Sequence, residues 1–560
     1  VRWIFPEPID DPAIASFAQD IGVPRFLSEI LWRRGLRDAS TASAFLDPRL
    51  KSLRDPFLLP DMEAAITRVI AAIERHERIV FYGDYDVDGV SSLALLTRVF
   101  AACGATTACF LPHRVDEGYG LSREGISRCI EEHRPQLLIA VDCGTTSVAE
   151  IDLLGERGVD VIVLDHHECA PALPACVALV NPKRGQSDRY LCSAGLAFKF
   201  AHALLKRRPV AGFDLRQVLD LVALGTVADL VPLIDENRLL VKHGLLRLGC
   251  SAWPGVRALI EVAGFNAPFT ATHVGFGLGP RLNAAGRLGT AQNALDLLLT
   301  DDSDHAWTLA TALDAQNRDR RAVEELVCKE AEDDLATWFD PSRHAAIVVG
   351  RPGWHPGVIG IVASRISRRH HRPTIVVGFD DSGAGKGSGR SITGFSLVAA
   401  LSSCSTHLER FGGHELAAGL SVNLANLTPF REAFLALAQA QLSAEQLLPR
   451  LHLDAEVRFS DIGLNLLGHV ESLAPYGSGH RQPVFYARGV SPAMAPRILK
   501  EKHLSLLLRQ EGVETRAIWF GSAANPLPNP PWDIAFELTR NEYQGSVTAQ
   551  IQVAALRSSV

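Results

Sequence analysis

The chain has 560 residues, about three or four folded units at roughly 150 residues apiece, each long enough to bury a core of its own; a disulfide-stapled miniature is excluded. Lys and Arg number 56 against 63 Asp and Glu, a formal charge of −7. That excludes a protein coating nucleic acid or membrane by bulk positive charge, so any polyanion must meet a local basic groove. Apolar residues at 47% and charged ones at 21% fit a globular chain and not a disordered one.

The ten cysteines are scattered, with no C-x-x-C pair. Neither a zinc ribbon nor a thioredoxin-type motif is expected, and reduced thiols place the protein in a cytosol. No apolar run approaches the roughly 20 residues that cross a bilayer. The segment Val1 to Asp11 lacks the basic, apolar, small-residue order of a signal peptide, although the chain begins at Val1 and not at a Met.

From Arg78 onward, short apolar runs alternate with helical periodicity. Strands are expected at 78–82, 106–111, 136–141 and 159–164, and helices at 91–102, 122–133 and 147–157. Near-continuous apolar strands in β-α-β order predict a parallel, doubly wound sheet. Helices follow at 193–207 and 215–223. A stretch from Asp304 to Trp338 without Pro or Gly predicts a helix about 50 Å long joining two domains. Strands at 345–350 and 373–379 with a helix at 361–368 suggest a second α/β unit; the Gly/Ser stretch 382–391 reads as loop. From about Leu451, short alternating strands with Pro and Gly turns indicate a small all-β module.

The chemistry gathers at strand ends. Gly83-Asp84-Tyr85-Asp86-Val87-Asp88-Gly89 follows the first strand. It is not a calcium EF-hand loop, whose twelfth position requires Glu where Leu95 stands; alone, it could be a solvated acidic turn. The third strand delivers Asp142 and the fourth Asp165-His166-His167, while Asp229 closes an apolar helical stretch. Ligands in open parallel sheets bind beyond the carboxyl ends of strands, so these groups converge on one cleft. Five or six carboxylates there repel one another unless cations compensate them. Mixed carboxylate and imidazole donors suit Mn²⁺, Mg²⁺ or Fe²⁺, and a pair of such ions promotes displacement at phosphorus, with Asp142 central enough to bridge them.

In order, Asp84/Asp86/Asp88, Val-Asp142-Cys-Gly, Asp165-His166-His167 and Gly-Thr-Val-Ala-Asp229 resemble the four motifs of the DHH phosphoesterase superfamily. The flanking strings resemble its RecJ family more closely: Asn-Pro-Lys183-Arg, Pro280-Arg-Leu-Asn-Ala-Ala-Gly-Arg287, Gly353-Trp-His-Pro-Gly-Val-Ile-Gly360, Gly385-Lys-Gly-Ser-Gly-Arg-Ser391 and Phe411-Gly-Gly-His414-Glu-Leu-Ala-Ala-Gly419. The resemblance covers nearly the whole chain. It implies an α/β fold with a doubly wound parallel-sheet DHH domain, a connecting helix, a second α/β DHHA1 domain and a C-terminal all-β, OB-like domain. The expected boundaries are 61–300 for DHH, 301–340 for the helix, 341–445 for DHHA1 and 446–560 for the OB-like part, with 1–60 packing on the DHH domain. It further implies Asp84, Asp86, Asp88, Asp142, His166 and Asp229 as ligands of two divalent ions, Mn²⁺ in preference to Mg²⁺. His167 would act on the scissile phosphate or its water, and Asp165 would orient an imidazole.

A single strand is held by a charged groove along its phosphates and by aromatic faces for its bases. Arg114 and Tyr119, in the loop after the second strand, are candidates for those two tasks. The Gly385–Ser391 stretch is no Walker loop, since Gly387 stands where Ser or Thr should follow Lys386. It can still offer backbone N–H groups, the Ser388 hydroxyl and the Arg390 fork to a phosphate. With Arg281, Ser388 and Arg390 are expected to cap the 5′ phosphate and so set polarity, with Gly412-Gly413-His414 facing the same cleft. Gln316 and Arg318 on the long helix could line the passage, and Lys500, Lys502 and His503 could add contacts from the β module. The resemblance implies a bacterial, cytoplasmic exonuclease specific for single-stranded DNA. It would run 5′ to 3′ and release 5′-mononucleotides in DNA repair and recombination, beside a single-strand-binding protein and a helicase and away from membranes. A small-substrate phosphoesterase and an inactive scaffold are the competing expectations; the extra C-terminal module counts against the first and the full set of ligands against the second.

Overall fold

The structure is a computed structural model that describes residues 1–9, 12–112, 120–186, 189–288 and 290–559. Five parallel strands, β1 (Ile79–Gly83), β2 (Thr107–Phe110), β3 (Leu137–Val141), β4 (Asp160–Leu164) and β5 (Ala178–Val180), form one sheet in the order β2-β1-β3-β4-β5. Their side chains alternate between two cores. Ile79 and Phe81 join the core beneath α1 (Val87–Ala102), α4 (Ser193–Arg207) and α5 (Leu219–Ala228). Val80 and Tyr82 join the opposite core under α2 (Arg123–His133) and α3 (Val148–Glu156). Burial on both faces explains the unbroken apolar strands. The order reverses between β1 and β3, the switch point where such sheets bind ligands.

Local chemistry moves several boundaries from those expected. Helix α1 begins at Val87, four residues before Ser91, because the Asp86 side chain caps it by accepting the Asp88 and Gly89 N–H groups at 2.8 and 3.1 Å. The 215–223 helix is a short 3₁₀ turn followed by α5, which runs on to Ala228 and hands over directly to Asp229. After α6 (Asp235–Leu248) and α7 (Gly279–Leu288), the long helix α8 spans Ser303–Trp338, capped by Asp302.

Beyond α8, the strands β6 (Ile347–Pro352), β7 (Thr374–Phe379), β8 (Ala384–Arg390), β9 (Arg410–Gly413) and β10 (Ala417–Asn423) form a mixed sheet in the order β9-β10-β8-β7-β6, with β6 and β7 parallel. Helix α9 (Pro356–His370) starts five residues before the expected Ile361, with His355 Nδ1 accepting from the Gly357 N–H at 3.0 Å. The Gly/Ser stretch is not a loop: β8 is paired on both edges, by β7 and β10. Its backbone therefore belongs to the ladder and is not a phosphate cradle.

The C-terminal module is a seven-stranded sheet in which the Phe485–Pro492 strand also pairs with His503–Gln510, closing it toward a barrel. The N-terminal segment corrects the expected layout. Phe17, Leu27, Ile30, Leu31 and Ala42 share a core with Phe485, Trp532 and Phe536 of this module, and strand Arg2–Ile4 pairs with Arg450–His452. Among the described residues, Leu50, Leu53, Phe57 and Leu59 pack on the DHH core, while Phe45, Leu46 and Pro48 meet α6 through hydrogen bonds from its side chains to their carbonyls. The amphipathic N-terminal helices carry no mark of which core they cover, so the sequence allowed either. No helix among the described residues is long and apolar enough to cross a membrane.

Candidate active site

The predicted acids and imidazoles meet at the carboxyl ends of β1, β3 and β4. Asp84, Asp86 and Asp142 form one group, Asp88, His166 and Asp229 a second, and Asp142, His166 and His167 a third; within each, donor atoms lie within 4.8 Å of one another. Asp142 and His166 are each common to two groups. Asp142 has left-handed backbone, φ 64°, which Asp tolerates and which turns the chain sharply after β3. Its N–H still donates to Leu164 O at 3.0 Å, so the strand stays in register.

Neighbouring groups hold the candidate ligands in place. Ser193 Oγ donates to Asp142 Oδ1 at 2.8 Å, and the Ser193 and Ala194 N–H groups at the start of α4 donate to Asp88 at 2.7 and 2.8 Å. Sequence reasoning missed Ser193, whose only signal is its place at the first turn of a helix. Asp165 Oδ2 accepts from Thr145 N, and its Oδ1 from His166 N and from His167 Nδ1 at 2.6 Å. Asn181 donates to Thr145 Oγ1 and His167 O, which ties the Asn-Pro-Lys-Arg string to the same loop.

The electrostatics separate two kinds of carboxyl. Burial, and then Asp88 and its fellow acids, push Asp142 well above the usual carboxylate range; burial and Asp86 raise Asp88 to about 6, and burial and Asp88 raise Asp229 to about 9. Burial and His167 lower His166 to about 4. Asp165 behaves in the opposite way: burial opposes its charge, yet the hydrogen bonds from His167 and Thr145 hold it well below its ordinary range. His167, despite burial, is raised by Asp165.

This donor set fits divalent cations. His166 Nε2 and Asp229 Oδ2 are buried with no hydrogen-bond partner among the described residues. His166 Nε2 stands 3.3, 3.6 and 3.8 Å from oxygens of Asp142, Asp229 and Asp88. Those spacings are too long for good hydrogen bonds and near the edge, roughly 3 Å, of a polyhedron of ligands about 2.1 Å from a shared ion.

A cleft of about 970 Å³ opens beside Asp229, between α7, α8 and α9 and strand β8. Arg287, Arg320, Arg321, Arg365, Arg368, Lys386 and Arg390 line it against Glu324 and Glu325. The cleft is thus locally basic in a chain whose formal charge is −7. Ser388 and Arg390 are both in the lining, with Arg390 Nη1 donating to Ser388 Oγ at 3.1 Å. Arg281 is not; it bonds to Asp314 at 2.9 Å and to Gly277 O, and Arg287, one and a half turns on, reaches the cleft instead. Gln316 and Arg318 likewise fall off the lining, Arg318 pairing with Asp314 at 3.3 Å, because the face of α8 that meets the cleft carries Arg320, Arg321 and Glu324. His414 sits at the β9–β10 turn, where its N–H donates to Ala417 O, and lies near enough to Glu168 to help depress that carboxyl behind its Lys183 hydrogen bond. Arg114 and Tyr119 lie outside the described residues.

Acidic motifs at the switch point of a parallel sheet, joined by a long helix to a second sheet that walls the cleft, define a DHH phosphoesterase. The DHH family N-terminal domain matches residues 78–226, the DHHA1 domain 343–443 and the RecJ OB domain 453–555. The chain belongs to the RecJ family: it is 34% identical over 562 residues to the single-stranded-DNA-specific exonuclease RecJ of Bacillus subtilis, across 99% of this chain and 70% of that one. RecJ from Thermus thermophilus in complex with Mn²⁺ superposes with a TM-score of 0.86 at 32% identity, covering 100% of this chain and 80% of that one. The same protein in complex with Mg²⁺ gives 0.80 at 30%, covering 100% and 79%.

Proposed function

We propose that this protein is a metal-dependent exonuclease that degrades single-stranded DNA from its 5′ end and releases 5′-mononucleotides in DNA repair and recombination. The observation that carries the reading is the pair of donor groups sharing Asp142, set beside a cleft lined by cations. Asp84, Asp86, Asp88, Asp142, His166 and Asp229 would hold two divalent ions, Mn²⁺ or Mg²⁺, which when bound would supply Lewis-acid chemistry for an in-line displacement at phosphorus.

The remaining work falls to the chain itself. Ser193 and the start of α4 fix the orientation of Asp142 and Asp88. Asp165 engages Nδ1 of His167 and favours its protonated form, so Nε2 donates to the scissile phosphate or orders the water that attacks it. Ser388 and Arg390, joined by Arg287 in place of Arg281, receive the terminal 5′ phosphate and set the direction of digestion. His414 approaches from the β9–β10 hairpin of the same sheet as β8, and Arg114 and Tyr119, which lie outside the described residues, are further candidates for a phosphate and a base. A cleft that takes one strand needs that strand unwound and kept open, which supports a helicase and a single-strand-binding protein as partners in a bacterial cytoplasm.

End-labelled single-stranded, duplex and RNA substrates, with Mn²⁺, Mg²⁺ or EDTA, test the reading. The expected result is metal-dependent loss from the 5′ end of single-stranded DNA, abolished by Asp142→Ala. Digestion from the 3′ end, or activity that survives the substitution, overturns it.

A further inference from the structure

The turn Val274–Leu278 has no part in the chemistry above, yet it packs against the helix that delivers Asp229. It is one turn of π-helix, a form frequent at functional sites. Its sequence, Val-Gly-Phe-Gly-Leu, accounts for how it sits. Val274 and Leu278 are buried. Gly275 faces Val227, which a Cβ there would touch at 3.6 Å, and Gly277 lies so close to the Phe265 ring that a Cβ would come within 2.1 Å. With the inward places taken, Phe276 is turned out to solvent, 71% exposed. Leu230, the residue after Asp229, is 70% exposed on left-handed backbone, φ 62°, a conformation that is costly for Leu. Both side chains line the basic cleft.

A single exposed Leu or Phe carries no message. Here two large apolar groups, both exposed and both on irregular backbone, stand in one cleft that Arg287, Arg320, Arg321, Arg365, Arg368, Lys386 and Arg390 also line, beside a residue of the acid cluster. The chemistry that covers them must present an apolar face next to anionic groups, as an unpaired nucleobase between phosphates does. Bases inside a duplex have their faces covered by their neighbours. We infer that Phe276, with Leu230 in the same cleft, is a stacking platform for an unpaired base of the strand being cut, and that this contact helps the enzyme to reject paired ends. The inference rests on the nuclease function proposed above.

Strands carrying one abasic residue at successive positions from the 5′ end test it by kcat/KM, for the unaltered protein and for Phe276→Ala and Phe276→Trp. The unaltered protein should lose roughly 10-fold or more when the abasic residue occupies one particular position. Phe276→Ala should show that loss on the intact strand, mainly in KM, and no further loss at that position, while Phe276→Trp should restore both. Losses that add at every position, or an intact strand cut as well by Phe276→Ala as by the unaltered protein, overturn the platform and leave the nuclease function standing. An unaltered protein that neither binds nor cuts single strands overturns both. Since Phe276 is exposed, its truncation should leave thermal unfolding unchanged.

Discussion

Asp88 is wholly buried and accepts two N–H groups from α4, yet its carboxyl is raised to about 6, and that of Asp229 to about 9. Both values lie above those of the unfolded chain, so the metal-free fold binds the extra protons. The stability that these two groups contribute is therefore fully present below the ordinary carboxylate range and is lost as pH rises through about 6 and on toward 9. A divalent ion displaces those protons, so its apparent affinity should climb by up to tenfold per pH unit for each proton released. We expect the rise in Tm caused by Mn²⁺ to be larger at pH 8.5 than at pH 6, with EDTA removing it; a rise that shrinks with pH contradicts this account. At this scale the sequence was most legible, because most of the candidate ligands are short motifs at strand ends that the sheet brings together, with Asp229 delivered by α5. The cationic contacts were less so: an Arg in a motif looks the same whether it bonds an Asp, as Arg281 does, or lines a cleft, as Arg287 does.

Elements hold the acidic loop by close approaches that only Gly permits. A Cβ on Gly89, in the first turn of α1, would lie 2.4 Å from Asp84 O, a backbone atom that cannot yield without moving the whole acidic turn. Gly89→Ala should cost about 1–3 kcal/mol of stability, measured as a lower denaturant midpoint, and weaken Mn²⁺ binding by calorimetry; unchanged affinity would show that the turn relaxes freely. Gly225 plays the same part from α5, where a Cβ would meet Asp88 Oδ1 at 2.7 Å. Glycine also explains the largest misreading of an element. Gly385, Gly387 and Gly389 suggested a loop, but Phe379, Leu420 and Ile375 occupy the places their side chains would take. A strand whose apolar faces are lent by its neighbours has no periodicity of its own to read.

Across the whole molecule, buried arginine joins units far apart in sequence. Arg238 of α6 is almost fully buried; its guanidinium donates to Leu473 O at 2.8 Å, Ala474 O at 2.9 Å, Pro475 O at 3.2 Å and Phe45 O at 3.1 Å, and lies 3.8 Å over the Phe45 ring. One side chain thus fastens the C-terminal module and the N-terminal helices to the catalytic sheet. Arg238→Met leaves these carbonyls unpaired and should lower stability by about 3 kcal/mol or more. It should also shorten processive runs on long strands more than it slows cutting of short ones; equal effects on both would argue against a fastening role. Domain order was legible from composition and periodicity, but this closure was not, because it depends on carbonyls that every sequence supplies. The pairing of Trp3 with Leu451 bridges about 450 residues of chain. During synthesis, the Arg2–Ile4 strand and the apolar faces of the helices behind it must wait until about 450 further residues have been made, leaving Phe17, Leu27 and Ile30 without their final cover. Such late, long-range contacts slow folding and favour chaperone capture of the nascent amino-terminal segment.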